Sequence, residues 1–255
     1  MLEQILVIAR KEVLDSVRDV RSLLSSVLYC IMGPGIVFMV SLTVNGKPSG
    51  QSVLTGMMAI FTLVSAFTGG MNVGMDVVAG ERERRSLLPL LMNAVSRRNV
   101  LLGKWLAISF FSMAGLIVTL IGFGLMLGEG GSGVPSILML ACGLIPLALL
   151  AAALELGIST ACGTVKEAHT YLSMLVFVPM GVGMFIVFHP KAAAGWAHFL
   201  PIAGQQWQLE RWAQGGSMPL VQTLVLAILT AASAACAVLA AANVMERDDV
   251  VYGSQ

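Results

Sequence analysis

Charged side chains are scarce in this chain: Asp, Glu, Lys and Arg make up 11% of its 255 residues, against about 25% in soluble domains. A water-facing globule of this length could not cover its surface with so few. The same shortage excludes a disordered chain, which needs charge and little apolar content. With a formal net charge of +1, it also excludes a nucleic-acid binder, which needs a basic face. Metal spacing is missing too. Cys30, Cys142, Cys162 and Cys236 form no CxxC pattern and lie in or beside apolar stretches, where a thiol packs as a small hydrophobe. Neither HExxH nor GxSxG occurs, and His169, His189 and His198 sit at or beyond the ends of one apolar run. A membrane-embedded enzyme therefore has no visible machinery. Nor is there a GxxxxGK[ST] loop to cradle nucleotide phosphates.

What the chain has in quantity is apolar length. Hydrophobic residues make up 57% and the mean hydropathy is +0.86. Six uninterrupted charge-free intervals run over 22–46, 48–75, 105–128, 130–154, 168–190 and 212–245. Each exceeds the ~20 residues a helix needs to cross ~30 Å of hydrocarbon. The expectation is an all-α membrane protein with six transmembrane helices. Gly33-Pro34-Gly35 lies inside the first interval, and Pro146 and Pro179 inside the fourth and fifth, where breaks are tolerated if neighbours satisfy the freed backbone groups.

An even number of crossings puts both termini on one side. With that side cytoplasmic, twelve basic residues lie inside and only Lys47, Lys191 and Arg211 outside, as the positive-inside rule requires. Residues 1–21 carry four basic and four acidic side chains, unlike a secretory signal. Leu2, Ile5, Ala9, Val13, Val17 and Val20 recur at helical spacing, with Lys11–Asp15 and Asp15–Arg18 on the polar side. Two readings stand: an N-terminal amphipathic interfacial helix, or a helix packed on a soluble partner. The expected organisation is that helix at 1–21, a transmembrane domain at 22–245 and a cytoplasmic tail at 246–255. Within the domain, a cytoplasmic loop occupies 76–104 and an outer segment 189–219. The outer segment gathers Trp196, Trp207 and Trp212, as suits short helices at or dipping into the outer interface.

Glu155 is the one acid deep in apolar sequence. It reads either as a substrate-pathway or helix-locking residue, or as an interfacial residue if the fourth span ends early. Asn72, in the second span, is a second candidate for the pathway. Gly70-x-x-x-Gly74 and the alanines of the last span (Ala227, Ala231, Ala234, Ala241) offer close-approach faces, for a second copy or for packing within the chain.

The loop after the second span is the most informative stretch. It reads Gly80-Glu81-Arg82-Glu83-Arg84-Arg85-Ser86-Leu87, and six basic residues lie between 82 and 104. Positive-inside topology explains the bases but not the alternating acids. Leu87, Leu91, Ala94 and Val95 would line one face of a short helix with Ser86 as N-cap and Pro89 in its first turn, a shape suited to docking on a soluble protein.

Gly80-Glu81-Arg82-Glu83-Arg84-x-Ser86-Leu87-x-x-Leu90-Leu91, then Val95-Ser96-Arg97, then Leu101-Leu102-Gly103-Lys104 resembles the loop of type-two ABC exporter permeases. Ala9-Arg10-Lys11-Glu12 with Arg18-Asp19-x-Arg21 resembles that family's elbow helix, so the likeness covers essentially the whole chain. It departs at Arg85, where the family has Gly, and at Ser86, Pro89 and Ala94, where it has Thr, Glu and Pro. Phe199-Leu200-Pro201-Ile202, Gln205 and Gly215 are similar to the sodium-export branch. The resemblance implies a permease subunit of an ATP-driven exporter in the cytoplasmic membrane, itself not an enzyme. ATP and Mg would bind a separate ABC ATPase subunit, and a second permease chain would complete a homodimer. Gly80, Glu81, Arg82, Glu83, Arg84, Ser86, Leu87 and Leu91 would form the ATPase contact. A secondary transporter or ion channel is the competing reading; it would need several intramembrane charges or an inverted repeat, and neither is present.

Overall fold

A computed structural model describes residues 2–44, 48–86, 89, 95–127, 140–189, 195–214, 216 and 220–246. The described chain forms helices and no strand. They are α1 (Leu2–Arg18), α2 (Val20–Val44), α3 (Pro48–Met75), α4 (Arg97–Leu127), α5 (Ile145–Ala161), α6 (Val165–Phe188), α7 (Ala203–Ala213) and α8 (Leu220–Met245). Five of these, α2, α3, α4, α6 and α8, are long and apolar enough to cross a membrane, and α5 is a shorter apolar helix of 17 residues. The chain is an all-α, multi-pass membrane protein.

The layering follows from which helices carry small and polar residues. The most apolar windows of α3 and α4 are 67% and 56% buried, against 22–28% for α2, α6 and α8. α3, α4 and α5 thus make the interior. The outer three expose Leu28, Phe177 and Ile228, among other large apolar side chains, as lipid requires. Close approach between α3 and α4 rests on glycine: a Cβ on Gly115 would stand 2.9 Å from Gly69 Cα and 3.0 Å from Ser65 O. Val73, Leu101, Leu156 and Val238 fill one end of the interior, and Phe67, Leu116, Leu147 and Leu209 the other.

Two prolines behave differently from each other. Pro34 lies inside α2, which is continuous through it. Its missing N–H would leave the Cys30 carbonyl unpaired, and the Thr119 hydroxyl of α4 donates to that oxygen at 3.0 Å. Pro146 follows a turn at Leu144 that interrupts the helical backbone after residues 140–143, and it occupies the first turn of α5, where no N–H is needed. Residues 140–143 are already helical, so the fourth charge-free interval, 130–154, is helical on both sides of a turn at Leu144, and the helix runs on past its end to Ala161. Glu155 is absorbed into the helix instead of ending it. Residues 128–139 lie outside the described residues.

The elbow helix α1 packs on α4 through Ile5, Ile8, Ala9, Glu12 and Val13, whereas Leu2, Leu6, Val17 and Val20 are exposed. The apolar positions thus split between two faces: one on the bundle, one turned outward. Gly103 makes the seat, since a Cβ there would meet Ile8 Cβ at 2.7 Å. At the opposite end of the bundle, the outer segment supplies a 3-10 turn (Trp196–Phe199) and α7, with Gln205, Gln206 and Gln208 buried. Gly215 is outside the described residues.

Glycine substitutions separate contact from propensity. Gly115→Val should lower stability by about 1–3 kcal/mol, because backbone cannot move aside. Gly181→Ala meets nothing within 4 Å and should be neutral or stabilising by up to about 1 kcal/mol. Thermal unfolding in detergent reads both, and equal effects would overturn the packing account.

Candidate functional site

α3 does not stop at Met75. It passes through a π-helical turn, Asp76–Gly80, into the helical turn Glu81–Glu83. Single π turns inside α-helices recur at functional positions. The extra residue re-aims the end of α3 across the bundle, and the Ala79 N–H donates to Ser159 Oγ of α5 at 3.2 Å. The turn is closed by Ser86, whose N–H and hydroxyl both donate to the Glu81 carbonyl at 2.8 and 3.2 Å. Between them Arg85 takes φ 56°, a left-handed conformation that costs an L side chain roughly 1 kcal/mol.

Each side chain of the Glu-Arg-Glu-Arg run has a different destination. Glu81 points inward. Its Oε1 lies 2.9 Å from Lys104 Nζ of α4, and Glu12 Oε1 of α1 lies 3.0 Å from the same nitrogen. Lys104 Nζ also donates to the Val77 carbonyl of the π turn at 2.7 Å. The lysine side chain is 0% exposed; three acceptors from two segments, α1 and the turn after α3, enclose it. Lys11 joins the edge of this cluster, 3.2 Å from Glu12, 3.6 Å from Asp15 and 3.7 Å from Glu81. Partial burial lowers its affinity for a proton, but Glu12, Glu81 and Asp15 outweigh that and hold Lys11 above the ordinary lysine range.

Arg82 reaches the end of α5, donating to the Cys162 and Thr160 carbonyls at 2.6 and 3.0 Å. These carbonyls close the C-terminal turn of the helix, where cationic donors are favourable. Glu83 does the reverse for α6, accepting the Val165 N–H at 2.8 Å, at an N-terminus where an anion is favourable. Arg84 folds back on Asp76 at 2.8 Å, and the hydrogen bond it donates to that carboxylate raises the already high proton affinity of Arg84. A methyl group on Gly80 would strike the Asp76 carboxylate, so a side chain there would displace Asp76 from its place beside Arg84.

Of the residues expected to contact an ATPase, Glu83, Arg84 and Ser86 are exposed, Arg82 is half-buried, and Gly80 and Glu81 are buried. The structure brings all six into one knuckle, but two of them face the bundle. Leu87 and Leu91, and with them the expected amphipathic helix, lie outside the described residues. Asn72 and Glu155 do not come together. The Asn72 amide lies within hydrogen-bond reach of Ser22 O, Ser25 Oγ and Ser26 Oγ at 2.8–3.0 Å and lines a cavity of about 520 Å³ between α1, α2, α3 and α4. Glu155, 1% exposed, packs on the other side of α3 in the space left by Gly70 and Gly74. The Gly70–Gly74 face is therefore used within the chain. Neither Glu155 oxygen has a hydrogen-bond partner among the described residues, and no described cavity opens on it. Among those residues, no three His, Cys, Asp or Glu side chains gather to hold a metal ion.

The profile of the ABC-2 family transporter proteins matches residues 6–248. The chain belongs to that family. Over 153 residues it is 36% identical to the ABC transporter permease protein NatB of Bacillus subtilis (strain 168), a stretch covering 56% of this chain and 39% of NatB. The matched stretch thus spans about two fifths of that relative's length. Family membership gives the motifs their context, and the contacts give them a physical content. Leu101-Leu102-Gly103-Lys104 is the seat of the elbow helix: Gly103 admits Ile8, and Lys104 takes Glu12. Sequence reading placed Lys104 at a span boundary as one more inside charge and did not pair it. The available signal was a Glu in the elbow and a Glu in the loop, each facing a lone Lys inside apolar sequence.

Two substitutions in this ABC-2 family protein test the arrangement by thermal unfolding. Lys104→Met leaves Glu12 and Glu81 facing each other without their cation and should cost about 3–5 kcal/mol, most of it recovered when Glu12→Gln and Glu81→Gln are added. Arg85→Gly removes the left-handed strain and should stabilise by roughly 1 kcal/mol; a loss of stability would sink the strain assignment.

Proposed function

We propose that this protein is the permease subunit of an ATP-driven exporter in the cytoplasmic membrane, with both termini in the cytoplasm. A separate ABC ATPase subunit carries ATP and Mg and hydrolyses the nucleotide; the permease has no catalytic residue of its own. Two permease chains form a homodimer facing two ATPase subunits, and the ATPase contact is the knuckle Gly80–Ser86 continued by Leu87 and Leu91.

One observation carries this reading. The exposed side of the knuckle offers Glu83, Arg84 and Ser86 to a partner, while Glu81 and Arg82 are fastened to α1, α4 and α5. A push on the exposed side reaches four helices at once, because Glu83 itself holds the start of α6. That is the geometry of a lever: a small charged handle whose root is bonded to the elements that must move as rigid bodies. The family's permeases and the name of the B. subtilis relative support the same assignment. A transporter without an ATPase would have no use for a charged knuckle so thoroughly tied to the bundle.

Glu83→Gln keeps an oxygen for the Val165 N–H and removes only the charge, and Arg84→Ala removes an exposed, screened ion pair worth little to stability. Together they should leave the unfolding temperature within a few degrees of the parent. In vesicles containing the cognate ATPase, they should cut transport per ATP hydrolysed by at least tenfold. Unchanged coupling would overturn the assignment of the contact.

A further inference from the structure

The cavity of about 520 Å³ between α1, α2, α3 and α4 is bordered at one end by Asp76 and by Glu81 and Arg84 of the knuckle. Its size falls in the range of small-molecule sites, about 300–1,000 Å³. Its two ends differ in chemistry. At the rim stand Asp15, Asp19 and Asp76, with Glu12 and Glu81 behind them; Lys11 and Arg84 are the only cations that line it. Counting Lys104, which backs Glu12 and Glu81, and Arg21, whose charge acts on Asp19, the carboxylates still outnumber the cations by one. The Asp15 and Asp76 side chains are more than half exposed, so the rim is open to charge from outside.

Behind the rim lies Glu81. Glu81 is 8% exposed. Its Oε1 is engaged by Lys104, but its Oε2 is buried without a hydrogen-bond partner. An oxygen so placed has a strong demand for a donor or a cation. Deeper in, the lining turns apolar: Val27, Val73, Ala114 and Val118. Phe110 and Phe111, packed edge to face at 5.5 Å, also border it. Aromatic faces attract cationic head groups without needing a hydrogen bond. Along α4 the distance from the level of Lys104 to Val118 is roughly 21 Å at 1.5 Å per residue, the dimension of an extended alkyl chain with its head group.

We infer that this cavity binds a cationic amphiphile, an alkyl chain carrying an ammonium or similar head, which enters tail-first from the leaflet nearest α1. The head sits among Asp15, Asp19 and Asp76, in front of Glu81, and the tail runs past Phe111 toward Val118. Asn72 and its serine partners close the wall between α2 and α3. An anionic amphiphile of the same length finds the same tail site but a repelling rim. As a cargo site this rests on the transport reading above; as a binding site it does not, so the test reads binding by the permease alone.

The chain is purified into nanodiscs of zwitterionic lipid, with no ATPase, and titrated with radiolabelled decyltrimethylammonium, decyl maltoside and decyl sulfate. Decyltrimethylammonium should bind saturably and at least tenfold more tightly than decyl sulfate, with affinity falling as salt rises. The double variant Asp15→Asn, Asp19→Asn changes exposed side chains only and should remove that preference while leaving decyl maltoside unaffected. Ala114→Phe fills the apolar part and should weaken all three. Equal binding of cation and anion, or an unchanged cation affinity in either variant, overturns the inference. A coupling assay that failed would leave this result standing, and the converse also holds.

Discussion

A lysine ammonium shut away from water must find its counter-charge where it sits, and Lys104 finds it in two carboxylates that the chain brings from 92 residues upstream and from the end of the preceding helix. Everything at the charged end of the bundle is positioned by that requirement. Glu12 fixes α1 along α4 at the level where Gly103 leaves room for Ile8. Glu81 fixes the turn after α3, and once that turn is fixed Arg82 and Glu83 reach the termini of α5 and α6. A buried ion cluster is weak support for stability as such, since well-packed apolar residues do as well. What it supplies here is register: the cluster closes only when three separate segments stand at one height.

The interior is built from glycine, alanine and serine more than from bulk. Gly69 and Gly115 let α3 and α4 touch backbone to backbone, and Gly70 and Gly74 admit a glutamate between helices. In lipid, where apolar side chains gain nothing by leaving their surroundings, close approach and internal hydrogen bonds are what hold helices together. Thr119 on Cys30 O and Asn72 on the serines of α2 are bonds of this kind.

The class of fold was legible from the scarcity of charge alone, and the spans from the gaps between charges. Their ends were not. Glu155 stood open between a place inside the bundle and one at the interface, because sequence position does not report that two glycines on α3 leave room for its side chain. Pro146 was legible as a point of interruption, but not the turn at Leu144 that precedes it. The Glu-Arg-Glu-Arg run was recognisable as a site, yet the alternation could not reveal that its members face four different ways. Chain direction after α3 is set by a π turn, and no residue pattern marks one. The departure at Arg85 was visible, and its reason is a backbone angle: a glycine in the family pattern stands where φ is positive here. The cavity was invisible, because its wall is assembled from four helices whose contributions are unremarkable one at a time.

The spacing of the lysine's partners has a consequence for biosynthesis. Glu12 emerges from the ribosome 92 residues before Lys104, which at 5–20 residues per second is a delay of about 5–20 s. Throughout that interval Glu12 has only its helix neighbour Lys11 beside it and not yet its buried partner, so the first helix is held by its apolar residues, among them Leu2, Leu6 and Val17. It waits on the surface of the bilayer as a floating segment, and the arrival of the third crossing from the translocon is what moors it.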